Sequence, residues 1–149
     1  MRPWPILTSF FLSACDEARP CSSCPPIEGR YQMRYEAAQL SSGCPSLEPG
    51  PPPPELVFTR IGSTLRSQAG RVDLVGTVFD TFDFTLGGIQ AQRDGGNDAI
   101  DVRGAFIPPS AVTDGGTWIR GQYATQQTRP GPGGSQSCTR QHSFLGEKQ

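Results

Sequence analysis

Gly29-Arg30-Tyr31-Gln32-Met33-Arg34-Tyr35-Glu36-Ala37 is the stretch that decides the fold. Tyr31, Met33, Tyr35 and Ala37 fall on one side of an extended chain, and Arg30, Gln32, Arg34 and Glu36 on the other. A period of two marks a β-strand with one buried face. The same alternation returns along the chain. Short strands are predicted over 55–61, 64–67, 71–79, 82–86 (continuing to 91), 98–107, 117–126 and 137–145. Asp94-Gly95-Gly96-Asn97 and Asp114-Gly115-Gly116 lie between them, where glycine supplies the positive φ of tight hairpins. No window sustains a helical period. Seven or eight short strands in series predict an all-β, antiparallel up-and-down meander. Closing into a small barrel removes its edges. A β-sandwich is the alternative. Gly-x-aromatic recurs at Gly29/Tyr31, Gly104/Phe106 and Gly121/Tyr123, where glycine lets a strand coil and the aromatic fills the interior.

Upstream of the first strand, Arg2 precedes an apolar stretch from Trp4 to Leu12, then two small residues and Cys15. A brief basic front, an apolar core and small residues describe an export signal over residues 1–14. The core is about half the roughly 20 residues of a membrane-spanning helix. Leu12-Ser13-Ala14-Cys15 resembles the lipobox of bacterial lipoproteins. That resemblance implies cleavage before Cys15, lipid on its sulfur and amino group, and a firm anchor to a membrane through several acyl chains. Residues 15–26 then form a stiff, proline-bearing tether, and residues 27–149 a single domain with a Pro-rich loop at 44–54. The expected location is the bacterial cell envelope.

Removing 14 of 149 residues leaves 135, enough for one domain with a real core. The mature chain carries 12 basic and 14 acidic side chains, a formal charge of −2 with no basic block, so a nucleic-acid partner lacks its electrostatic footprint. With Cys15 assigned to lipid, Cys21, Cys24, Cys44 and Cys138 remain, an even set that reads as two disulfides in an exported chain. Cys44–Cys138 with a local Cys21–Cys24 is favoured over cross-pairing of the two sets. Cys21-Ser22-Ser23-Cys24 has redox-motif spacing, but Pro25-Pro26 and the lack of a βαβ unit argue for a structural bridge. The cysteines and His142 include zinc-ligand types, yet their spacing is irregular, and no metal or other cofactor is expected.

The domain resembles a small lipocalin-like barrel in outline over residues 28–145. Gly29-x-Tyr31 is similar to that family's first-strand Gly-x-Trp. The resemblance implies that Arg140, in the last strand, packs over the first-strand aromatic, and that Cys44–Cys138 ties the C-terminal strand to an early loop. The later Thr-Asp-Tyr element of the family is missing.

Candidate chemistry is sparse. His142 shares a strand face with Cys138, Arg140 and Phe144, and Asp80-Thr-Phe-Asp83 offers two carboxylates at a turn. Neither comes with a nucleophile motif. Asp94 to Asp101 partly matches a calcium-binding nonapeptide but occurs once, so it reads as an acidic hairpin turn. The expected role is therefore binding or structural: an envelope lipoprotein with an apolar ligand or an envelope protein as partner. Tyr31, Tyr35, Phe84, Phe106, Trp118 and Tyr123 are the candidates to line a ligand site or to form the core. A small envelope enzyme using His142 or Asp80/Asp83 is the alternative.

Overall fold

The decisive strand runs from Gly29 to Tyr35 (β1), with Tyr31 and Met33 buried and Arg30, Gln32 and Arg34 exposed. The computed structural model describes residues 18–41, 44 and 50–149. Residues 1–14, read from the sequence as an export signal, and Cys15 lie outside the described residues.

After β1 come β2 (Gln39–Leu40), β3 (Glu55–Ile61), β4 (Thr64–Ala69), β5 (Val72–Val78), β6 (Asp83–Ala91), β7 (Asn97–Ile107), β8 (Trp118–Gly131) and β9 (Gly134–Lys148). Every pairing is antiparallel. The order is β1-β3-β4-β5-β6-β7-β8-β9, and β1 also pairs with β9, closing an eight-stranded barrel. That closure decides against a sandwich. β2 is the extra strand: past Tyr35 the chain follows β9, with Glu36 N–H donating to Ser143 O at 3.0 Å and Gln39 and Leu40 opposite Gln141 and Arg140.

Alternation puts Leu56, Phe58, Leu65, Leu74, Val78, Phe84, Leu86, Val102, Phe106, Ile119 and Tyr123 in one buried cluster with Tyr31 and Met33. Outward positions carry Arg66, Asp73, Asp101, Arg103 and Arg120. Exposed Val57, Val75, Ile89 and Leu145 stand among these charged groups on the outer wall. Gly104 and Gly121 sit opposite each other, and a Cβ at Gly104 would meet the Phe84 ring and the Arg120 carbonyl. Glycine there lets β7 and β8 approach closely enough to coil.

One end is closed by the chain's own N-terminal segment. Ile27 is fully buried and its carbonyl accepts the Tyr31 hydroxyl at 3.0 Å. The segment read as a tether is docked from Arg19 on, since Asp80 N–H donates to Arg19 O and Cys21 N–H to Val78 O, both at 2.9 Å. Lys148 stands opposite Tyr31 and donates from Nζ to Pro26 O at 3.2 Å. This corrects one expectation: Arg140 sits far up β9, opposite Thr125 and Leu40, and the cation level with the first-strand aromatic is Lys148.

The bridges are Cys21–Cys24 and Cys44–Cys138. They use up the four thiols considered as zinc ligands. The second bridge pins the start of the Pro-rich loop to β9. The next described part of that loop, residues 50–54, lies at the other end of the barrel, where Pro54 O accepts Met33 N–H at 2.8 Å.

Candidate ligand site at the mouth of the barrel

Towards this second end the inward positions change character. β4 runs Leu65, Ser67, Ala69; β6 runs Phe84, Leu86, Gly88, Gln90; β8 runs Ile119, Gly121, Tyr123, Thr125, Gln127. Bulky apolar side chains give way to small and polar ones, so the lower barrel is filled and the upper barrel is not. The result is a cavity of about 440 Å³. Ala69, Val72 and Ile100 supply apolar wall; Gln90, Thr125 and Gln127 supply polar groups; Gly50, Pro51 and Pro53 form the lip. This volume falls within the range of small-molecule pockets.

Tyr35 and Tyr123 shape the site. Tyr123 lines the cavity, and burial pushes its phenol up to about 12. Tyr35 donates from its hydroxyl to Pro53 O at 2.9 Å, holding the lip in place. Its ring packs edge-on against Tyr123 and His142, with centroids 5.8 Å away in each case. Burial, with the nearby Tyr123 second, raises the Tyr35 phenol above its ordinary range.

Among the described residues, Thr125 Oγ1, Ser67 Oγ and His142 Nε2 are buried without a hydrogen-bond partner. Unpaired buried polar atoms cost stability, and a ligand that pairs with one recovers it. Thr125 is the one of the three that lines the cavity.

The acidic turn at the rim is neutralised from within the chain. Asp94 Oδ1 accepts Gly96 N–H at 2.9 Å. Arg129 reaches Asp98 Oδ1 from Nη2 at 2.9 Å and Asp94 Oδ2 from Nε at 3.4 Å. Asp98 Oδ2 also accepts Gln92 Nε2–H at 2.7 Å, and Asp101 pairs with Arg103 at 2.8 Å. These carboxylates stabilise a hairpin, with Arg129 in the place a cation would take.

The structure distributes the sequence-predicted residues as follows. Tyr123 lines the mouth and Tyr35 braces it. Tyr31, Phe84 and Phe106 are buried in the closed half. Trp118 is half-buried at the closed end with Nε1 3.4 Å from Asp114 Oδ1. His142 is not brought to the carboxylates. Its ring faces inward between β1 and β8, with Nδ1 2.9 Å from Glu36 O. Asp80 and Asp83 are exposed at the β5–β6 turn, accepting from Ser22 N–H (3.2 Å) and Thr81 Oγ1–H (2.8 Å). Sequence reading missed the lip and the wall: Pro51, Pro53, Ala69, Val72, Ile100 and Thr125. The fading of bulk along the inward positions of β4, β6 and β8 is the signal that finds them.

Comparison with protein-family models, with curated proteins and with solved structures finds no match.

Proposed function

We propose that this chain is an exported envelope lipoprotein, anchored through lipid on Cys15, whose barrel mouth binds a small, mainly apolar ligand without chemical transformation. The observation that carries the binding role is the 440 Å³ cavity above a filled core. Its apolar wall provides most of the contact, and Thr125 and the glutamines at its edge orient a polar group. Two disulfides support an oxidising compartment, consistent with export. Leu12-Ser13-Ala14-Cys15 supports the anchor. A closed meander with Gly29-x-Tyr31 at its sealed end supports a lipocalin-like reading in outline.

The test has two parts. The intact mass of protein from its native host is expected to correspond to a chain starting at Cys15 with acyl mass added. Titration with an environment-sensitive apolar dye is expected to give saturable binding that Ala69→Phe or Ile100→Trp abolishes by filling the cavity. Equal dye binding by the filled variants removes the mouth as the site.

A further inference from the structure

The closed end presents two exposed large hydrophobic side chains, Ile61 and Phe82. We propose that this end is a membrane-contact face. Ile61 and Phe82, at the tips of the β3–β4 and β5–β6 turns, rest on the bilayer surface, and the ligand mouth points away from it. The proposal rests on the lipid-anchor reading of Cys15 and goes beyond it to the orientation of the whole barrel.

Covalent length makes the first argument. The chain is fixed to the barrel from Arg19, whose carbonyl accepts Asp80 N–H; Pro20 bridges to Phe79, and Cys21 bonds to Val78. Cys15 lies four residues earlier, and four residues span at most roughly 14 Å when fully extended. A lipid on Cys15 therefore holds the β5–β6 turn close to the headgroups, leaving the far end as the free one.

The second argument is what stands at that end. Ile61 is 81% exposed and Phe82 is 37% exposed. They flank the docked Cys21–Cys24 bridge, since Cys24 Sγ lies 3.5 Å from Gly62 O on one side and Cys21 bonds to Val78 on the other. Phe82 is also the one non-glycine residue with positive φ among the described residues, at 68°. Phe82 N–H donates to Phe79 O and Phe79 N–H to Asp83 O, a hairpin turn whose left-handed position suits glycine. A bulky side chain is held there against its backbone preference; one edge of its ring packs against buried Phe106, with centroids 6.3 Å apart, and the rest faces outward. Aromatic rings are favoured at the membrane–water interface. Asp80 and Asp83, exposed beside it, keep the contact at headgroup depth.

Trp118 is a native reporter. The chain has two tryptophans, Trp4 and Trp118, and cleavage before Cys15 leaves Trp118 alone. It stands opposite Ile107 at the closed end, next to Phe106, whose N–H donates to Phe82 O at 2.9 Å. The lipidated chain, its acyl mass verified, is reconstituted into phosphatidylcholine–phosphatidylglycerol vesicles containing headgroup-nitroxide phosphatidylcholine. The expected result is quenching of Trp118 emission relative to the same vesicles without nitroxide, as for an indole at headgroup level. A Trp118→Phe/Gly133→Trp variant, with its tryptophan at the tip of the β8–β9 hairpin, is expected to keep its emission. Phe82→Gly combined with Ile61→Asp is expected to restore Trp118 emission while the protein still floats with the vesicles. Phe82→Gly relieves the backbone but removes the ring contact with Phe106, so the variant's thermal unfolding and its Trp118 emission in nitroxide-free vesicles are measured alongside, and both are expected to match the parent's. Unquenched Trp118 in floating protein overturns the contact face and leaves the anchor standing. Absence of acyl mass overturns both.

Discussion

The Tyr35 hydroxyl donates to the Pro53 carbonyl at 2.9 Å, tying the last inward residue of β1 to the proline run that edges the cavity. The run is thus more than a connector. Pro54 O accepts both Met33 N–H and Gln32 Nε2–H, so the prolines are laid against β1 by their carbonyls, which are the backbone groups they still have. Cys44 anchors the start of the same loop to Cys138. Residues 51–54 are thereby held against β1 as the lip of the cavity.

Tyr35→Phe keeps the ring contacts and removes only that bond. We expect a loss of about 1 kcal/mol in stability, the usual net value of one hydrogen bond. Dissociation of a dye from the mouth is expected to quicken more than its association. Urea unfolding and stopped-flow fluorescence check the two effects. Unchanged dissociation would mean that the lip does not gate the cavity.

The two bridges are expected to differ widely in what they contribute. Cys44–Cys138 closes a sequence separation of 94 and Cys21–Cys24 one of 3. Chain-entropy reasoning gives the long bridge about 4.7 kcal/mol, a model-dependent figure, and the short one much less. Cys44→Ala/Cys138→Ala is expected to lower the urea midpoint far more than Cys21→Ala/Cys24→Ala. The reverse ranking would show that docking of the N-terminal segment, rather than loop closure, dominates.

β1 and β3 to β7 were legible because each buries one face, which writes a period of two into the sequence; β2, with Gln39 and Leu40 both exposed, was not. The ends of β8 and β9 were not. Residues 130–137 are Pro, Gly, Ser and Gln, mostly exposed, and are held by the pairing of Pro130 with Ser135 and of Thr128 with Ser137. With no buried face there is no period to read. The cavity was hidden for a related reason. Ser67, Ala69 and Thr125 keep the inward phase, but a small side chain on that phase looks like any strand end. The acidic turn showed its carboxylates in the sequence, whereas Arg129, 31 residues beyond Asp98, is brought to them only by the β7–β8 register.

Glycine positions give a sharper test of the coiled wall. A Cβ at Gly76 would run into the Thr85 carbonyl, and one at Gly121 into the Arg103 carbonyl; both obstacles are backbone. At Gly133 nothing lies within 4 Å. Gly76→Ala and Gly121→Ala are expected to cost several kcal/mol, roughly the upper range for single substitutions, while Gly133→Ala changes stability by less than about 0.5 kcal/mol. Thermal unfolding of the three variants decides. Tolerance of alanine at Gly76 would show that β5 and β6 separate more easily than their register implies.

All three tyrosines of the chain sit inside the barrel, and burial raises each phenol, Tyr123 to about 12. For Tyr31 the charge of Glu28 adds to burial. An unfolded phenol ionises near pH 10. Below that pH both states keep the proton and the stabilisation is fully present. Between pH 10 and 12 the unfolded chain releases protons that the folded chain retains, so stability falls as pH rises. Tyrosinate absorbance at 295 nm is therefore expected to stay flat through pH 10 and then to rise together with loss of the far-ultraviolet strand signal. Tyr123→Phe removes one of the three linked protons and is expected to make the alkaline fall in stability shallower. Tyrosinate appearing near pH 10 with the strand signal intact would mean that the phenols meet solvent in the folded protein, and that the upper barrel is open down to Tyr123.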